Sequence, residues 1–279
     1  MPIKDMDIFW YVMIFIFGAI VGSFLNVVAY RLHTGRSLNG RSHCLTCGKK
    51  LTWYELFPII SYLIQGGKCR GCRAYVPWRY LFVEALTGTS FLGVWYFTSH
   101  DLVLLILHFV LISTFILIIV YDVRHTIIPN ELSIIVGAIA CILLGYEYMA
   151  TKDATLVISR IGAGFLASFF FWGLWYISKG RWIGFGDAKL AFPLGVIVGL
   201  GGVFSMVVLS FWIGAGVSLI LLGLQRLLKR GKPALHFLSS PLTIKSEVPF
   251  APFLILGFLM VQFLHADIFN ITYSLFFTS

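Results

Sequence analysis

Two aspartates stand at the ends of apolar segments. Asp187 lies within Arg181-Trp182-Ile183-Gly184-Phe185-Gly186-Asp187-Ala188-Lys189, at the mouth of one segment and just behind two glycines. Asp122 follows Tyr121 at the end of another. Ionisable groups at membrane depth are costly and tend to mark function. Gly184 and Gly186 let the backbone come close to a ligand. Two carboxylates sharing a site do not readily both ionise, so one keeps a proton. Such a pair supplies a base that activates water and an acid that polarises a carbonyl and protonates a leaving amine. The same residues admit two other readings. Asp187 can cap its segment while Asp122 pairs with Arg124 or Lys189, or both can form an ion or proton site in a transporter. Spacing alone does not choose among protease, transporter and structural roles. No inverted repeat is visible and Asp187 has no counterpart motif in the first half, which weighs against the transporter.

A second constellation is Cys44-Leu-Thr-Cys47 with Cys69-Arg-Gly-Cys72, two C-x-x-C pairs 21 residues apart. Four thiolates in this pattern suit a closed tetrahedral structural zinc site. Gly48 and Gly71 suit the tight turns of two knuckles. A redox pair or unliganded cysteines is the alternative. In a reducing cytoplasm, metal binding is favoured over disulfides. A loop this short has little core of its own, and ligation can supply its folding energy. Cys141, alone in an apolar segment, is expected to be a small buried hydrophobe.

The elements that must position these groups are apolar. The chain has 279 residues, 59% hydrophobic and 12% charged, with mean hydropathy +0.90, which excludes a soluble globular protein. Runs of about 20 apolar residues cross the hydrocarbon layer as helices. Hydropathy predicts an all-α polytopic membrane protein of about eight transmembrane helices, at 8–30, 80–97, 102–121, 130–148, 155–177, 188–200, 203–222 and 249–264. The sixth is short and Gly-rich, and Gly199-Leu200-Gly201-Gly202 reads as a tight turn into the seventh. The domains expected are a first transmembrane helix (1–31), a small cytoplasmic zinc-binding loop domain (32–78) and a transmembrane core (79–279). The stretch 225–248 reads as a basic mobile loop, and 265–279 is too polar for a clear crossing. Residues 2–7 are no basic leader of the usual kind, so a cleavable signal peptide is not expected.

Formal charge is +9, but its placement explains it. Every Lys and Arg except Lys4, Lys152 and Arg160 falls in alternate connections. By the positive-inside rule that side is cytoplasmic and both termini lie outside. Basic residues are not interleaved with exposed aromatics on one domain, so nucleic acid is not an expected partner. Two predicted crossings separate Asp122 from Asp187, which returns both to the same cytoplasmic face.

With these residues in view, Gly184-Phe185-Gly186-Asp187 and Tyr121-Asp122 resemble the GxGD class of membrane aspartic proteases. Within it the chain is similar to the bacterial type IV prepilin peptidases. The resemblance extends through Gly22-Ser23-Phe24-Leu25-Asn26-Val27-Val28-Ala29-Tyr30-Arg31-Leu32, the four loop cysteines and Glu55-Leu56-Phe57-Pro58-Ile59-Ile60-Ser61-Tyr62-Leu63. It continues in Ile128-Pro129-Asn130 and Val248-Pro249-Phe250-Ala251-Pro252-Phe253. Ala251 stands where Gly is common, and Ala188 where an aromatic is frequent.

The resemblance implies a multi-pass protein of the bacterial inner membrane with its active site facing the cytoplasm. Its partners would be prepilins and pseudopilins of type II secretion, cut after Gly, with Asp122 and Asp187 catalytic. It also implies N-methylation of the new terminal residue, usually Phe, from S-adenosylmethionine. A peptidase alone is the alternative. Both the enzyme's cytoplasmic face and the leaders are basic, so long-range charge does not attract them. Local acidic groups, Glu55, Glu84 and Glu247, are candidates for selection. Glu55, the only acid between Arg31 and Arg79, is also the first candidate for handling the amine in methyl transfer, and Glu84 the second. Pairing of Glu55 with a loop Lys or Arg is the plain alternative. No G-x-G-x-x-G fingerprint follows a strand, so a cofactor site must be built otherwise.

Overall fold

Long apolar runs without water to bond their backbones must satisfy them internally, and helices do so. The computed structural model describes residues 7–32, 40–98, 101–228 and 249–268. Its elements are α1 (Asp7–Arg31), a 3₁₀ turn (Trp53–Glu55), α2 (Ile60–Ile64), α3 (Arg79–Phe97), α4 (Leu102–His125), α5 (Asn130–Thr151), α6 (Ala154–Ser178), α7 (Phe185–Val198), α8 (Leu200–Leu228) and α9 (Ala251–Leu264). Five of them are long and apolar enough to cross a membrane: α1, α4, α5, α6 and α8. At most 50% of the apolar window of each is buried within the protein, so much of their apolar surface faces outward. α3, α7 and α9 are shorter, at 19, 14 and 14 residues. Glu247, Val248, most of the basic 225–248 stretch and the tail beyond 268 lie outside the described residues.

Two expectations need correction. Cys141 is exposed rather than buried, because α5 turns only 22% of its apolar window inward and the cysteine lies on the outer side. The turn into α8 is confined to Gly199, at φ 79°. Gly201 and Gly202 are already helical, since one residue in the left-handed region suffices to end a helix.

The chain forms two compact units, Met1–Val120 and Tyr121–Ser279. In the first, α1 and α3 approach closely through small residues. A Cβ on Gly18 would stand 2.9 Å from the Gly88 Cα, and one on Gly22 would stand 2.9 Å from the Glu84 Cα. This is the small-residue packing that lets helices associate without a hydrophobic drive between them. The rings of Phe91 and Phe109 stack at 4.2 Å, bringing α4 against α3.

In the second unit α7 is the central element, buried along most of its length and packed against α5, α6, α8 and α9. Its approach to α6 is backbone-close. A Cβ on Gly195 would lie 2.7 Å from the Ala163 carbonyl, and one on Gly164 would lie 2.9 Å from the Phe192 carbonyl. The Ser168 hydroxyl donates to the Ala188 carbonyl at 2.9 Å, fixing the first turn. At the far end the Arg160 guanidinium donates to the Ile197 carbonyl and to Glu147 at 2.7 Å, where a cation complements the negative end of the helix. α7 is therefore held at both ends.

Gly195→Val should lower the thermal stability of the detergent-solubilised protein by about 1–3 kcal/mol, because overpacking forces backbone shifts. Gly201→Ala, with nothing within 4 Å of a new Cβ, should stay within ~0.5 kcal/mol of the wild type. Equal melting of the two variants would contradict the close approach of α6 and α7.

Candidate active site and metal centre

Asp122 sits in the last turns of α4 and Asp187 in the first turn of α7. Both line one cleft of ≈ 400 Å³ in the second unit, with Thr126, Asn130, Trp182 and Phe250. They are 4% and 5% exposed. Each carboxylate is held by one backbone donor. The Gly184 N–H donates to Oδ2 of Asp187 at 3.1 Å, and the Ala251 N–H donates to Asp122. These donors belong to the N-terminal ends of α7 and α9, where helix dipoles favour negative charge. Oδ2 of Asp122 and Oδ1 of Asp187 are buried and accept no hydrogen bond. Buried polar atoms are nearly always satisfied, so two orphans in one cleft call for a function.

The two glycines of the motif act differently. Gly184 contributes its N–H. Gly186 contributes space, since a Cβ there would stand 3.0 Å from Cβ of Ile128, in the connector between α4 and α5. The Trp175 and Phe185 rings meet at 5.1 Å and brace the start of α7 against α6. Lys189 does not pair with Asp122; its Nζ donates to Oδ1 of Asn130 at 2.8 Å. Sequence reasoning missed the Ala251 N–H. Because the group is backbone, Ala serves there as Gly would, and only its place one residue beyond Phe250 gave a hint.

In the first unit the four loop cysteines converge, all their Sγ atoms lying within 4.8 Å of one another. Cys44 and Cys72 Sγ are 3.8 Å apart. A disulfide needs about 2.05 Å, whereas thiolates ~2.3 Å from one tetrahedral ion stand about 3.8 Å apart. The donor set thus fits a metal ion. Two similar knuckles build it, with Cys44 N–H donating to the Lys49 carbonyl and Cys69 N–H to the Ala74 carbonyl, both at 2.9 Å. The Cys47 and Thr46 N–H groups hold the Cys44 thiol down to about 6. The residue after each second cysteine takes the left-handed conformation, Gly48 at φ 72° and Arg73 at φ 56°. Gly71 serves another need, packing 3.7 Å from Cys69 Sγ at its absent Cβ.

A cleft of ≈ 730 Å³ lies beneath this loop, and both Glu55 and Glu84 line it. Their situations differ. Glu55 accepts from Lys49 Nζ at 2.9 Å and from the Thr52 N–H and hydroxyl at 2.9 and 2.8 Å. It therefore closes a turn with a cation and two further donors, which is the pairing weighed above. Glu84, on α3, accepts from the Ile59 N–H at 2.7 Å and from the Ser23 hydroxyl. Ile59 stands at φ 62°, ψ −57°, a conformation a β-branched residue avoids and that costs on the order of 1–3 kcal/mol. The Glu84 carboxylate helps hold that turn.

The Thr52 N–H and then the Lys49 ammonium hold the Glu55 carboxyl well below the usual carboxylate range, at about 2. A depressed folded value gives stability that is complete above ~4.3 and is lost as pH falls toward the folded value. Lys49 is 39% exposed and screened, so Glu55→Gln should loosen the loop by only about 1 kcal/mol at pH 7. Hydrogen exchange of loop amides should show the difference at pH 7 and its shrinkage below pH 4. Identical exchange of variant and wild type at pH 7 would dismiss the turn-closing role.

Residues 16–98 match the model of the bacterial peptidase A24 N-terminal domain, and residues 109–219 match that of the type IV leader peptidase family. The chain is 31% identical to a prepilin leader peptidase/N-methyltransferase of Myxococcus xanthus, over 76% of this chain and 63% of that protein. It is 30% identical to the protein of that name in Vibrio cholerae, over 70% of this chain and 80% of the relative. A Bacillus subtilis protein of the same name is also 30% identical, over 91% of this chain and 94% of its own length. No solved structure matches. By the two domain models and by relatives aligned over most of its length, this chain belongs to the type IV leader peptidase family.

Proposed function

We propose that the chain cleaves the basic leader of prepilins and pseudopilins after Gly, at the cytoplasmic face of the inner membrane, with Asp122 and Asp187 as the catalytic pair. The observation that carries this reading is the cleft in which each aspartate offers one buried oxygen without a partner. One carboxylate takes a proton from water while the other, protonated, donates to the scissile carbonyl. The water oxygen attacks the carbonyl carbon, the C–N bond breaks, the leaving nitrogen receives the proton the base had taken, and the proton lent to the carbonyl oxygen returns to the other carboxylate. The Gly184 and Ala251 N–H groups hold both carboxylates in place through these transfers. Clustering of Lys and Arg in alternate connections supports a cytoplasmic placement.

The names of the relatives support a second step, N-methylation of the amino terminus that cleavage frees. S-adenosylmethionine, when bound, supplies an electrophilic methyl group. The loop cysteines Cys44, Cys47, Cys69 and Cys72 would hold one zinc ion whose role is to fold the loop, since aspartate hydrolysis needs no metal.

Incubation with a prepilin and mass spectrometry of both products tests the whole reading. Cleavage after Gly with a methylated new terminus is expected; cleavage without the methyl group would leave a peptidase alone. Asp122→Asn and Asp187→Asn should each abolish cleavage, and the double variant should be no worse, because the pair acts as a unit. Substantial turnover by either single variant would refute the dyad. Elemental analysis should find about one zinc per chain, lost when Cys44 and Cys47 are both changed to Ser. No metal, with all four thiols freely reactive in the native protein, would overturn the zinc assignment.

A further inference from the structure

The cleft of the first unit holds a buried acid that no side chain among the described residues pairs with. Glu84 is 8% exposed and lines the cleft, yet among the described residues it makes no ion pair. Its partners are one backbone N–H and one hydroxyl, and a carboxylate can accept about four hydrogen bonds. A buried acid without a cation resists ionisation, and a cation arriving beside it relieves that cost. Glu55, by contrast, has its Lys49.

The rest of the lining has the complementary character. Arg31, Arg41 and Lys68 bring positive charge to the same cleft, and Tyr30, Tyr62 and Tyr80 bring aromatic surface. A volume of ≈ 730 Å³ lies in the range of roughly 300–1,000 Å³ of small-molecule sites. A buried acid without its own cation, separate cations and flat apolar surface suit a ligand with a cationic centre, a carboxylate and a planar base. A sulfonium nucleoside bearing an amino-acid tail has all three.

We propose that this cleft is the methyl-donor site, with Glu84 facing the sulfonium, the Arg31–Arg41–Lys68 group taking the donor's carboxylate, and the tyrosines flanking its base. This rests on the methyl-transfer reading above and moves the donor-facing role from Glu55 to Glu84. The strained turn at Ile59, anchored by Glu84, places the loop over the same carboxylate, so donor binding and loop position share one group.

The test is equilibrium binding, read by calorimetry on the purified full chain without substrate. S-adenosylmethionine carries the sulfonium, whereas S-adenosylhomocysteine is its neutral thioether and otherwise shares its groups. Glu84→Gln keeps the size of the side chain and an acceptor for the Ile59 N–H. It should weaken sulfonium binding by roughly tenfold or more and leave thioether binding within about twofold. Glu84→Asp should retain part of the sulfonium preference. Equal weakening of both ligands would reduce Glu84 to a structural group, and unchanged affinities would place the donor elsewhere; either overturns the proposal. A wild-type chain that binds neither ligand would instead overturn the methyl-transfer reading on which it rests.

Discussion

The second unit is governed by the need to keep two carboxylates out of water while leaving an oxygen of each unbonded. Burying an unsatisfied polar atom costs about 1–3 kcal/mol, and more for a charged group. A fold carries that burden only if neighbouring contacts over-determine the positions. α7 meets the condition by being fixed at each end, by Ser168 and Phe185 beside Asp187 and by Arg160 at Ile197. The glycines facing each other on α6 and α7 remove the side chains that would keep the helices apart. The two backbone donors then come from helix starts, so each carboxylate meets a positive dipole end. Pro193, inside α7, is tolerable because the helix is buried among neighbours that hold its shape.

The loop of the first unit solves a different problem. Few of its residues are buried, and several of its large apolar side chains, Trp53 and Tyr75 among them, are exposed. Its order comes instead from specific ties. Four thiols are gathered at one point, Glu55 closes a turn on Lys49 and Thr52, and Glu84 fastens Ile59 to α3. Most of these ties join residues far apart in the sequence or of opposite charge, so the loop is a set of cross-links rather than a core.

Much of this was legible in the sequence, for a physical reason. Apolar runs must be helical in lipid, so six of the eight segments read from hydropathy fall within one helix each; 188–200 overruns the end of α7 at Val198, 249–264 begins before α9, and among the described residues five helices have the length and apolarity of clear spans. The aspartates and cysteines were legible because their chemistry constrains residue type and spacing. What remained hidden was set by contacts between distant residues. Nothing local to Gly164 or Gly195 says that they face each other. The role of Arg160 depends on where α7 ends in space. Cys141 was misread because an apolar helix does not declare which side meets lipid. In the second knuckle the left-handed position fell to Arg73 rather than Gly71, since the cysteine spacing fixes the turn and the residue identity only adjusts its strain.

Glu55 and Glu84 show how environment assigns roles to equal side chains. Both are acids of the same length, both line one cleft, and the sequence favours Glu55 because it is the lone acid in a basic stretch. That basic stretch also provides it with a partner. A loop rich in Lys supplies Glu55 with its own cation, and the Thr52 donors complete its shell. Glu84 lies on a helix, where Ile59 and Ser23 donate hydrogen bonds but no side chain among the described residues forms an ion pair with it. A carboxylate already compensated has little left to give a ligand, whereas an uncompensated one gains most when a cation arrives. The residue with fewer charged neighbours in the fold is therefore the better counter-ion for a guest.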